Sequence, residues 1–191
     1  MTSRPLALLG LTLLTAPAAC GGHSTLSKGS PALVAADIGA GLAVVAGATG
    51  PLSRDLAARS TSVPAATLDG FLGSHGFQSG YARVWQRGEE FISAATYHFY
   101  ADRDAAAFVQ LPRSALAASA AVRASVDPAL PDAAAFVLTA SVSGRTRFCA
   151  SEWFASRRNA SVVTRCAGFP LSVDQVAAAA HRQHDVLEQL P

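Results

Sequence analysis

Between Arg145 and Ala167 the chain has one natural way to pair with itself. Arg145–Ala155 and Ala160–Ala167 are runs rich in β-forming residues, and Ser156 to Asn159 between them reads as a four-residue turn. Centring that turn on Arg157-Arg158 sets Ser151 opposite Thr164, Trp153 opposite Val162, and Cys149 opposite Cys166. A register chosen from turn residues thus brings two sulfurs face to face across neighbouring antiparallel strands. We expect a Cys149–Cys166 disulfide, worth about 3 kcal/mol by the chain-entropy argument for a loop of this size.

The same logic extends along the chain. Phe77–Gln86 and Phe91–Tyr100 alternate β-formers around the turn Arg87-Gly88-Glu89 and predict a first hairpin. Phe77, Tyr81 and Trp85 are read on one side of its first strand, with Ala82 and Val84 on the other. On the second strand Phe91, Tyr97 and Phe99 oppose Ile92, Thr96 and His98. Asp102 caps a helix through Ala105, Phe108 and Val109 that is expected to break near Pro112. Ser114–Arg123 reads as further alanine-rich helix, and 127–132 as a loop. A second unit follows: strand Phe136–Val142, turn Ser143-Gly144, then the cysteine hairpin. Ser172-Val173-Asp174-Gln175 is a capping box opening a helix to about Gln189, with Val173, Val176, Ala177, Ala180 and Leu187 on one face. Upstream, Ser30-Pro31 starts a short helix ending near Gly39. Leu42–Ala46 is a strand, Gly50–Pro64 a loop, and Pro64–Ser74 a helix. Two hairpin-then-helix units make an α+β domain with a single antiparallel sheet and helices packed mainly on one face.

The N-terminus carries a different message. Met1 to Ala19 combine a basic start (Arg4), an apolar stretch from Leu6 to Thr15, and the small-residue tail Ala16-Pro17-Ala18-Ala19, the layout of an export signal. Cys20-Gly21-Gly22 follows directly and looks like a lipoprotein cleavage box. We expect residues 1–19 to be a signal peptide, Cys20 the lipidated mature terminus, 20–30 a flexible tether, and 31–191 a single domain. Pro17 stands where such boxes carry an aliphatic residue. The alternatives are cleavage after Ala16-Pro17-Ala18, releasing a secreted protein, and an uncleaved anchor, for which the apolar run is short. Cysteine parity supports lipidation: with Cys20 modified, the three cysteines leave one pair, suited to an oxidising compartment. Roughly 170 mature residues suffice for one core without metal or cofactor. A net charge of +2, with no basic run, argues against nucleic acid.

The leader ending in Ala-Ala-Cys20-Gly-Gly, the stretch Gly76-Phe77-Gln78-Ser79-Gly80-Tyr81-Ala82-Arg83-Val84-Trp85 with its following strand and Ala-rich helix, and the closing hairpin and helix resemble small actinobacterial cell-envelope lipoproteins. That resemblance implies an α/β sandwich with one antiparallel sheet at the outer face of the cytoplasmic membrane. It carries over no catalytic residue.

Few residues point to chemistry. His181, His184 and Asp185 have helical spacing suited to a metal, but no third strong ligand is placed, and the bland reading is a half-buried helix face. Ser74-His75 are neighbours in a loop, which is not triad geometry. Glu89-Glu90 reads as a solvated turn, and Arg145, Arg147, Arg157, Arg158 and Arg165 as a solvated surface. No catalytic or metal residue is assigned. The best ligand-binding candidates are Tyr81, Arg83, Trp85 and His98, aromatics beside a cation on the first hairpin. The competing reading makes the aromatics core and lets Arg83 snorkel. The expected function is a non-enzymatic, monomeric binding module for a lipid, glycan or envelope protein, the alternative an envelope hydrolase. Intact-mass analysis of the membrane fraction should find a lipid adduct on a chain starting at Cys20. A chain starting at Ala19, free in the medium, would rule the anchor out.

Overall fold

The computed structural model describes residues 34–39, 41–116, 122–125, 127–130, 132–142 and 145–189. The leader, Cys20, the tether, the Ser30-Pro31 helix start and the Ser143-Gly144 turn lie outside them.

All the described strands belong to one antiparallel sheet. In chain order they are β1 (Ala43–Val44), β2 (Gly50–Leu52), β3 (Phe77–Arg87), β4 (Glu90–Phe99), β5 (Val122–Ser125), β6 (Ala134–Val142), β7 (Arg145–Ser156) and β8 (Asn159–Ala167). Their spatial order is β1-β3-β4-β8-β7-β6-β5, with β2 also paired to β3. The two hairpin units therefore join edge to edge through β4 and β8. The helices are α1 (Arg54–Ala58), α2 (Ala65–Ser74), α3 (Asp102–Leu116) and α4 (Asp174–Glu188).

The α+β class and the single sheet agree with the sequence reading, as does the second hairpin, residue for residue. Cys149 pairs with Cys166, Ser151 with Thr164 and Trp153 with Val162, and the two sulfurs form a disulfide. The turn closes on Arg157, which adopts φ 51°.

Three helices share one face of the sheet, and α4 covers the other. Under α3, Phe108 meets Tyr97, Phe99 and Trp153 at ring separations of 4.5, 5.5 and 5.1 Å. On the opposite face, Val176, Ala180 and Leu187 of α4 pack with Ala94, Phe154 and Val163, together with Val34 and Ile38 from the segment before β1. The capping box is half formed, with the Ser172 amide donating to Gln175 Oε1 at 2.8 Å.

Several local expectations need correction. Residues 34–39 form turns, not the expected helix end. The expected loop over 50–64 holds β2 and α1, because the Ser53 hydroxyl accepts from the Leu56 amide and caps a helix. Pro112 does not end α3: the missing N–H removes one bond, and burial of Phe108, Val109 and Leu116 carries the helix past it. The expected helix over 114–123 ends at Leu116, and Val122–Ser125 is strand β5 at the sheet edge. A β-bulge between Phe77 and Ser79 inserts one residue against β4, so Phe77 leaves the face of Tyr81 and Trp85 and packs with Tyr97 and Phe99. Gly39 has a steric reason, since a Cβ there would overlap Trp85.

Replacing Cys149 and Cys166 together by alanine should lower unfolding free energy by about 3 kcal/mol, chiefly through a less constrained unfolded chain. Denaturant titration under non-reducing conditions checks this. A variant as stable as the parent would mean that the cross-link contributes nothing.

Candidate functional site: a groove on the sheet

The alternation of side chains on β3 and β4 separates two surfaces with different fates. Tyr81, Arg83 and Trp85 lie on the face covered by α4, together with Thr96 and His98 of β4. The structure thus brings the four sequence candidates onto one face. There Trp85 and Thr96 are buried, and Tyr81 is half-buried against the same core cluster. The Arg83 guanidinium sits 6.0 Å from both the Tyr81 and Trp85 ring centres, at the limit for cation–π attraction. His98 Nδ1 is bonded to Asn159 Oδ1 at 2.9 Å.

The opposite face carries Ala82 and Val84 of β3 and Ser93 and Ala95 of β4, with Thr164, Cys166 and Cys149 continuing across β8 and β7. Toward α3 this face bears the large rings of Tyr97, Phe99 and Trp153. Toward the disulfide its side chains are small. A cavity of about 440 Å³ lies between that small-residue half and the chain from Val45 to Ser62, in which β2 continues the sheet beside β3 and α1 with the residues after it packs on the face. Its floor is Ala82, Val84, Ala95 and the disulfide, its far wall Leu138, and its roof Leu52, Leu56 and residues 59–62. That volume falls within the range of small-molecule sites, roughly 300–1,000 Å³. None of the four sequence candidates lines it.

Beyond the β2–β3 pairing, the Ser60 end of the roof is tied to β4 by a short contact. Ser60 Oγ donates to the Ala57 carbonyl at 2.8 Å, so the Tyr97 hydroxyl is the donor in its 2.5 Å bond to Ser60 Oγ. Burial pushes the Tyr97 phenol far above its ordinary pKa, and the Ser60 bond only partly opposes this, so the donor stays protonated. Arg59 is the one charged side chain among the described lining residues. Among the described residues it is held by an exposed i,i+4 pair with Asp55 at 2.7 Å, a contact of small energy that can exchange partners. The described lining residues include no histidine, aspartate or glutamate.

The other sequence candidates are dispersed. His181 bonds to Asp127 Oδ2 at 2.6 Å, whereas His184 packs edge-on against Phe154 and approaches Glu188 at 3.7 Å. Ser74 Oγ, 2.9 Å from His75 Nδ1, donates to the Gly70 carbonyl, and the imidazole stacks on Phe71, which makes the pair a helix end. The Glu89-Glu90 turn is not simply solvated. Glu89 bridges Arg145 and Arg147, and those hydrogen bonds, Arg147 first, hold its carboxyl below the ordinary value. Glu90 accepts from Arg165 Nε at 2.9 Å. Tips of hairpins from different units lie side by side, which sequence spacing does not encode.

No family model matches the chain, and no curated protein matches it. Among solved structures it is similar to the extracellular domain of PknH from Mycobacterium tuberculosis. That match has a TM-score of 0.47 and 14% identity, over 61% of this chain and 70% of that one.

Sequence reading missed the groove because its roof lay in a stretch taken for loop. The available signals were Ser53 as a cap and the small residues alternating at 82, 93 and 95. Tyr97→Phe removes the roof bond and leaves Ser60 Oγ without its donor. It should cost about 1 kcal/mol of stability and raise amide hydrogen exchange in residues 54–62. Unchanged exchange there would show that the roof is held by packing alone.

Proposed function

We propose that this protein is a lipid-anchored, extracytoplasmic, non-enzymatic binding module that takes a lipid or similar amphiphile in the groove. The observation that carries this reading is an apolar cavity of about 440 Å³ with Arg59 as the single cation among its described lining residues. An acyl chain laid on Ala82, Val84, Ala95 and the disulfide gains about 0.8 kcal/mol per buried methylene. Arg59 can exchange Asp55 for an anionic or polar head, which fixes the orientation of a ligand whose chain contacts are non-directional.

The leader, Cys20 and the polar tether support the anchored location, since a tethered domain can reach lipids leaving the membrane surface. The hydrolase alternative gains no support from the groove. Its hydroxyls, those of Thr49, Ser60, Thr61, Ser62, Ser93 and Thr164, have no histidine or carboxylate beside them among the described lining residues, and nucleophile activation needs a base within hydrogen-bond reach.

A dansyl-labelled fatty acid should bind saturably with enhanced emission, and lipid extracted from protein purified from its native membrane should co-elute stoichiometrically. Ser93 is a half-exposed floor position, so Ser93→Phe should fill the groove and weaken binding at least tenfold without lowering the melting temperature. Arg59→Gln should weaken an anionic amphiphile more than its methyl ester. No saturable binding and no co-purifying lipid would overturn the proposal.

A further inference from the structure

On the α4 side of the sheet, three elements meet at a buried acid. Glu152 of β7 is 0% exposed and Asp127, from the 127–130 turn, 5%. His181 of α4 is 39% exposed along its side chain. Asp127 is well supplied with donors. Its Oδ1 accepts from the Ala129 amide at 2.8 Å and its Oδ2 from His181 Nε2 at 2.6 Å. Among the described residues, neither Glu152 oxygen has a donor to accept from. An ionised Glu152 would be a buried charge without a partner, next to a second carboxylate, which is among the costliest arrangements in a protein interior. One proton removes the conflict. As a carboxylic acid, Glu152 becomes a donor, and the Asp127 carboxylate, within hydrogen-bond reach, is the acceptor.

We propose that Glu152, Asp127 and His181 form a proton-held clasp that fastens the 127–130 turn and helix α4 to the sheet, and that loss of the Glu152 proton releases it.

The electrostatics agree with the geometry. Burial first, and the Asp127 carboxylate second, push Glu152 up to about 8. Burial acts to raise Asp127 too, but the Ala129 amide, His181 and Glu152 together hold it below its ordinary value. Other charged groups on the packed elements have partners of their own. Arg165 of β8 is bound to Glu90 and to the Gln175 carbonyl, and His98 of β4 to Asn159. Arg182 of α4 pairs with Asp37, His184 lies on Phe154, and Arg113 of α3 donates to the Ala133 carbonyl. Asp174, Asp185 and Glu188 of α4 and Asp132 are exposed.

The sign follows from proton linkage. The folded protein keeps the Glu152 proton up to about 8, whereas the unfolded chain releases it near 4.5. Between those values the native state binds more protons, so stability falls as pH rises. The unfolding constant of the wild type, divided by that of Glu152→Gln, should climb about tenfold per pH unit across this window and level off above it. Glutamine keeps a donor for Asp127 and cannot titrate. The Ala129 amide resonance should shift with the same midpoint in the wild type and stay fixed in the variant. Parallel stability profiles, or an Ala129 signal that does not move, would overturn the clasp. Should Glu152→Gln fail to fold, carbon-13 titration of the wild-type Glu152 carboxyl decides, and an ordinary glutamate midpoint refutes it.

Discussion

The Gln183 side chain holds three parts of the molecule in one place. It is completely buried on α4. Its amide donates to Thr96 Oγ1 of β4 at 3.1 Å and Ser161 Oγ of β8 at 3.2 Å, and its carbonyl oxygen accepts from the Ala35 amide at 2.9 Å. Thr96 and Ser161 are themselves bonded at 2.6 Å across the seam between the two hairpin units. Removing the amide would take the acceptor from the buried Ala35 N–H, at about 1–3 kcal/mol. Hydrophobic burial supplies the bulk of the cohesion, but it is non-directional. The Gln183 network selects one seating of α4 on the sheet and brings the segment before β1 into register with it.

With that face closed, the other inherits the open space. Its two halves differ in side-chain volume. Tyr97, Phe99 and Trp153 fill the distance to α3 around Phe108, while Ala82, Ser93 and Ala95 leave a gap beneath residues 45–62. Interiors normally close such gaps, because unfilled volume costs contact energy. A gap kept open by a roof bonded to the floor through Tyr97 and Ser60 is what a ligand site requires. The clasp at Glu152 lies on the α4 side, so the groove and the titrating group occupy opposite faces of one sheet.

Much of the fold was legible one strand at a time. The turn at Arg157-Arg158 placed Cys149 against Cys166 correctly, because a hairpin register follows from its turn alone. The apolar stripe of α4 was also readable: Val173, Val176, Ala180 and Leu187 are all buried. Failures occurred where tertiary packing overrode local preference. Pro112 sits within a helix whose buried face outweighs one lost hydrogen bond. Gln183 and Glu152 are polar residue types ordinarily found in water, and nothing in their neighbours announces burial. The bulge at Gln78 moved Phe77 to the other face, and an extra residue of that kind is invisible to strict alternation.

The sequence by itself determined strand pairing within each hairpin, the disulfide, and, away from the bulge at Gln78, which side chains share a strand face, since these depend on period-two geometry and short turns. Only the tertiary structure decided which face would be sealed. Tyr81, Arg83 and Trp85 alternate as attractively for binding as Ala82 and Val84 do blandly for core, yet helix α4 and Gly39 close over Trp85 and the bland face holds the cavity. The physical reason is that a groove is a property of missing volume between elements distant in the chain. Residues 45–62, strand β4 and the disulfide of β7 and β8 become neighbours only when the two units join through β4 and β8.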